Sequence, residues 1–165
     1  MDAIDLLRTQ IRSVHRAAEQ ALDGLTDEQL HRRIDPETTN AIASIYAHMV
    51  TGEDRQVHQR VLEKPTLLES GWQERLKLPE ERGALWTWQV PDVALLREYA
   101  ALVYADTDAA LQAMAGADLD REVEGFRGPQ RLGSLLNVIV AMHGLQHVGE
   151  MSALKGAMGV PGLPI

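Results

Sequence analysis

The stretch HGLQHVGE, residues 143 to 150, sets two histidines four apart and a glutamate three further on. An α-helix turns about 100° per residue, so His143 and His147 stand about 40° apart, one turn above each other, and Glu150 comes within about 20° of His143. The flanking Leu136, Ile139 and Leu154 would mark this face as the inner one. Burying imidazoles or a carboxylate without partners costs free energy. A divalent cation offsets that cost, because histidines at i and i+4 can grip one zinc-like ion from a single helix face. Such a pair needs a third ligand from another element.

His48 is the expected third ligand. Its helical neighbours Ala41, Ser44 and Gly52 are small and leave room for an ion, a water or a substrate. Glu53 shares the direction of Ile42 and Met49, so it too is expected to look inward and, with His48, to face His143, His147 and Glu150. Three neutral imidazoles leave a coordination position open. Water bound there would have its pKa lowered to near 7, or a substrate thiol would bind as thiolate. Glu53 or Glu150 could accept the proton or orient a histidine. Glu150 could instead be a fourth ligand, which would close the site. The metalloprotease signature needs Glu directly after the first histidine, and Gly144 stands there, so peptidase chemistry is not supported.

The other histidines carry weaker signals. His15 is expected on a helix surface and His58 at a partner interface or in solvent. Glu28 and His31 have the spacing of a di-iron half-motif, but a second such pair is lacking and the reading is rejected. Trp72, Trp86 and Trp88 all lie in the stretch 64 to 91, which is expected to cap the core, to cover the metal pocket or to pack on a second subunit.

Four helices must position these groups. Ile4, Leu7, Ile11, Val14, Ala18 and Leu22 form one stripe and predict a helix from about Ala3 to Leu22, ended by Gly24. A second is expected from near Asn40 to about Glu63, before Pro65. A third follows Pro91, capped by Asp92 and ended by Gly116, with Leu96, Ala100, Val103, Thr107, Leu111 and Met114 inward. A fourth is expected from Gly133, capped by Ser134, to about Lys155. Its inner line would run through Leu132, Leu136, Ile139, His143, His147, Glu150 and Leu154. Gly159, Pro161, Gly162 and Pro164 forbid its continuation. Alternating strand patterns are absent. The expected fold is all-α, a four-helix bundle, in a single domain over residues 1 to 165.

Composition narrows the function. The 165 residues contain no cysteine, which excludes disulfides, a cysteine nucleophile and thiolate metal sites. A net charge of −8 argues against nucleic acid as a partner. LLNVIVAM at 135 to 142 is too short to span a bilayer, and MDAIDLLRTQ lacks the pattern of a signal peptide, so a cytoplasmic protein without membrane contact is expected.

TTNAIASIYAHMVTGEDR and, some ninety residues later, LLNVIVAMHGLQHVGEMSALKG resemble the DinB-like superfamily of four-helix bundles, which includes YfiT-like metal-dependent hydrolases. The resemblance covers most of the chain. It implies an up-down-down-up bundle whose long second connection is the 64 to 91 stretch. It implies a divalent metal, zinc or nickel, on His48, His143 and His147, and it implies a homodimer. It also implies a metal-dependent hydrolase or a thiol transferase of the bacillithiol or mycothiol type, acting on a small molecule. The alternative is a non-catalytic metal-binding or stress-response protein, with a structural metal or hydrogen-bonded core histidines.

Overall fold

The computed structural model describes residues 1–125 and 128–163. The protein is mostly helical, with one small two-stranded sheet. Helix α1 spans Ala3–Leu22 and buries the stripe read from the sequence. Asp2 caps it by accepting from the Asp5 amide, and Asp5 reaches back to the Asp2 amide. Gly24 follows at φ +76°, a left-handed turn that suits glycine. A short helix α2, Asp27–His31, precedes α3, Ile42–Gln56, which continues as a π-helical segment, Val57–Leu62. The stretch 64 to 91 then carries a wide turn at Leu68–Trp72, helix α4 at Gln73–Leu76 and a 3-10 turn at Arg82–Trp86. Helix α5, Val93–Ala113, starts with the Asp92 carboxylate accepting from the Leu95 amide at 3.0 Å, so the expected cap is in place.

Two expectations need correction beyond α5. Strands β1, Glu122–Gly125, and β2, Gly128–Arg131, pair antiparallel with Glu122 opposite Arg131 and Glu124 opposite Pro129. Four-residue strands with glycine and proline are too short to show alternation. Strand β2 leads straight into α6, Leu132–Leu135, so Ser134 lies inside a helix rather than capping it. A π-helical segment, Leu136–Met142, links α6 to α7, His143–Ala157. Pro164 lies outside the described residues. Among the described residues no helix is long and apolar enough to cross a membrane.

The π-helical segment changes which face of α7 is inward. Its i→i+5 bonding winds about one residue more into each turn than an α-helix, so a 3.6-residue count carried through it from Leu136 lands on the wrong face. The buried line of α7 is Gly144, Val148, Met151 and Lys155. His143, His147, Glu150 and Leu154 lie one residue earlier and are half-buried, at the edge of the core rather than in it.

Long-range contacts order the helices. The Lys155 ammonium donates to the carbonyls of Gln20 at 3.2 Å and Asp23 at 2.5 Å, so the C-terminal ends of α1 and α7 meet. Arg97, early in α5, pairs with Glu19 late in α1, whereas Asp108, late in α5, takes Arg8 and Arg12 from early in α1. Tyr46, early in α3, donates to Glu19, and Glu53, later in α3, meets His15. Helices α1 and α3 each pack on both α5 and α7.

At Gly144, α7 approaches α1 closely. A Cβ there would stand 2.7 Å from Val14 Cγ1. Gly144→Ala is expected to destabilise the protein by about 1–3 kcal/mol through overpacking. Chemical denaturation should show a lower midpoint, and an unchanged midpoint would mean that Val14 yields without cost.

Candidate metal centre

His48 stands in the middle of α3 and His143 and His147 in the first turns of α7. Packing of α3 against α7 brings the three rings together. The His48 and His143 Nε2 atoms are 3.3 Å apart, and those of His147 and His143 are 3.1 Å apart. Among the described residues these three are the group of His, Asp and Glu whose donor atoms lie within 4.8 Å of one another and could hold a metal ion.

Hydrogen bonding fixes how the ring nitrogens point. His147 Nδ1 lies 2.9 Å from Glu150 Oε2. An ionised carboxylate only accepts, so Nδ1 carries the proton, and in the neutral ring Nε2 presents its lone pair toward His143. The His143 Nε2 can donate one proton at most, so it cannot satisfy both neighbours as a donor. Burial, and then His147, lower the pKa of His143 below the usual histidine value and favour the neutral ring.

Glu150 thus touches the triad through His147. Glu53 does not share that space. Both its oxygens face His15 Nε2, at 2.8 and 2.9 Å, and Thr107 donates to Oε1 at 2.6 Å. The step of five residues from His48 explains this: it rotates the side chain by about 140° around α3, toward α1 and α5. His15, expected at the surface, is buried with Glu53 and stacks on Tyr104 with ring centroids 3.7 Å apart. His58, expected in solvent or at a partner, is 4% exposed and lies between Asp54 at 2.7 Å and Asp106 at 3.2 Å.

Trp72 and Trp86 take two of the roles considered for the 64 to 91 stretch. Trp72 is buried against Tyr99 in the core. Trp86 stands beside the triad, 4.6 Å from the His48 ring and 6.4 Å from that of His147. Together with Leu85, Ile139, Thr51, Gln56 and Arg55 it walls a cavity of about 370 Å³ that opens onto His48 and His143. One residue here, Arg55, escaped the sequence reading. It could have been found, because it lies two turns beyond His48 on the same face. Trp86 belongs to the stretch expected to cover the pocket, but which of the three tryptophans would do so cannot be read from the sequence, because an irregular stretch carries them.

Comparison with curated proteins gives no match. Among solved structures, a conserved protein from Enterococcus faecalis is similar, with a TM-score of 0.81 at 19% identity, covering 96% of this chain and 99% of that one. At that identity the likeness speaks for the fold alone. The sequence pattern of the DinB superfamily matches residues 10–151, which takes in all three histidines, the whole of α3 and the first part of α7. The chain therefore belongs to the DinB superfamily.

Proposed function

We propose that His48, His143 and His147 hold one divalent cation, zinc or nickel, and that the protein is a metal-dependent hydrolase or thiol transferase acting on a small molecule. The spacing of the Nε2 atoms carries this reading. Nitrogens about 2.0–2.1 Å from a common tetrahedral ion stand roughly 3.3 Å from one another, close to the 3.1 and 3.3 Å between the rings. A hydrogen-bonded core would not need three imidazoles whose nitrogens converge with too few protons between them. A cation bound there supplies a Lewis acid that makes a water or a thiol nucleophilic at neutral pH.

The remaining work falls to the chain's own side chains. Glu150 holds the His147 proton on Nδ1 and orients the ring. It is also partly open to solvent. Glu53 is tied to His15 and Thr107 and is better suited to holding α1, α3 and α5 together. The reading includes the up-down-down-up bundle, supported by the meeting of the α1 and α7 ends and by the reversed pairing of α5 and α3 along α1. It also includes a single domain, a homodimer and a cytoplasmic location, as the resemblance and composition led us to expect.

A second reading has support of its own. His48 belongs to α3 and the other two histidines to α7, so a cation would cross-link two helices and could serve stability alone. Profiling the metal-loaded protein against ester hydrolysis and thiol transfer to electrophiles separates the two. Turnover that disappears on chelation supports the enzyme. Chelation that lowers only the melting temperature supports the structural role. In either case Glu150→Gln is expected to weaken metal affinity by roughly 10–100-fold. Competition with a fluorescent chelator measures this, and an unchanged affinity would show that Glu150 does not orient His147.

A further inference from the structure

We infer that the cavity beside the triad seats a ring-sized apolar group of the substrate, and that Gly52 sets how large this group can be. The inference rests on the metal reading above and names the substrate class of that same site.

The first argument is what α3 leaves uncovered. Every residue of Ile42–Gln56 is buried except His48, Gly52 and Arg55. These stand at i, i+4 and i+7, a single stripe along the helix. All three are half-buried and border the cavity. The middle one has no side chain. Inside a helix glycine is the least favourable residue after proline. Close packing or a left-handed backbone usually explains it, and Gly144, pressed on Val14, shows the first case. Neither applies to Gly52. A Cβ there would meet nothing within 4 Å, and the backbone is helical. What the missing side chain provides is room in the cavity, one turn from His48.

The second argument is the chemistry of the wall. Leu85 and Trp86 come from the 3-10 turn and Ile139 from the π-helical segment, and most of the lining is apolar. Hydrocarbon placed against these side chains leaves water, and the gain grows with the area covered. A cavity of roughly 150 Å³ admits a benzene ring. This one holds about 370 Å³, enough for a ring and the atoms that link it to the reacting centre. His48 and His143 border the same space. A group seated over Gly52 therefore keeps its reacting end within reach of the cation.

Cobalt(II)-loaded protein tests this with acetohydroxamate and benzohydroxamate, which grip a metal through the same two oxygens and differ in a methyl against a phenyl group. Calorimetry gives the affinities, and the visible cobalt absorption reports engagement at the triad. In the wild type benzohydroxamate is expected to bind about tenfold more tightly, or better. Gly52→Leu should weaken benzohydroxamate by about tenfold or more and acetohydroxamate far less. Any difference in intrinsic chelating strength is shared by wild type and variant and cancels in that comparison. Gly52→Ala should narrow the preference and, by replacing a helical glycine, raise Tm by about 2–4 °C. Equal affinities of the two chelators in the wild type, a comparison that needs no variant to fold, would overturn the inference while cobalt binding leaves the metal reading intact. A preference unchanged in Gly52→Leu, or a lower Tm in Gly52→Ala, would also overturn it. Failure to take up cobalt at all would bring down both.

Discussion

His143→Ala is expected to lose stoichiometric divalent metal. His143 places its Nε2 3.3 Å from that of His48 and 3.1 Å from that of His147. Its removal leaves His48 and His147 as an incomplete pair from two different helices. The loss of affinity should exceed the roughly 10–100-fold that an outer hydrogen-bond partner such as Glu150 is worth. The ring is half-buried at the edge of the core, so the metal-free variant should melt close to the metal-free wild type. Elemental analysis after dialysis, with a chelator titration, measures the effect. A variant that keeps wild-type stoichiometry and affinity would refute the triad.

The second large effect concerns Asp54, whose side chain is fully buried. Its carboxylate accepts from the amides of Leu67 and Leu68, at 3.0 and 3.1 Å, and from the Tyr99 hydroxyl at 2.6 Å. His58 Nδ1 stands 2.7 Å away. Burial, and then the Asp54 charge, push the Tyr99 phenol far above its usual pKa, so it stays a donor. One side chain thus ties the start of the 64 to 91 stretch to α3 and α5. Asp54→Ala would leave buried donors unpaired and His58 without its inner partner. The expected cost is roughly 3–5 kcal/mol, or about 10 °C or more in Tm for a chain of this size. Thermal denaturation reads the stability. Hydrogen exchange at Leu67 and Leu68 reads the local bond, since both amides should lose protection first. A Tm within a degree or two of the wild type would show that the carboxylate is not the anchor.

Asp54 also shows where sequence reading stops. It was visible only as half of an ED pair beside Glu53. Besides His58 one turn on, its partners are two backbone amides more than ten residues on and a tyrosine from another helix. The same holds for His15, whose carboxylate partner Glu53 arrives from another helix, and in part for His58, which takes Asp54 from one turn back and Asp106 from α5. The π-helical segment at Leu136–Met142 is a different failure. Periodicity assumes a constant turn per residue, and that assumption broke just before the two histidines it was used to place.

Local chemistry decided a good deal without help. The stripe of α1, the Asp92 cap of α5 and the end of α7 before Gly159 follow from spacing, capping and backbone freedom within a few residues, and they stand as read. The residue types His48, His143 and His147 could be picked out because i, i+4 spacing and small neighbours are local facts. Only packing decided that α3 and α7 bring those rings to about 3 Å, that Glu53 turns to α1 while Glu150 meets His147, and that Arg55 and Trp86 share the cavity. The division has one physical cause. Helical spacing fixes the direction of a side chain relative to its own axis, whereas the partner it meets depends on how whole helices settle to fill a common core.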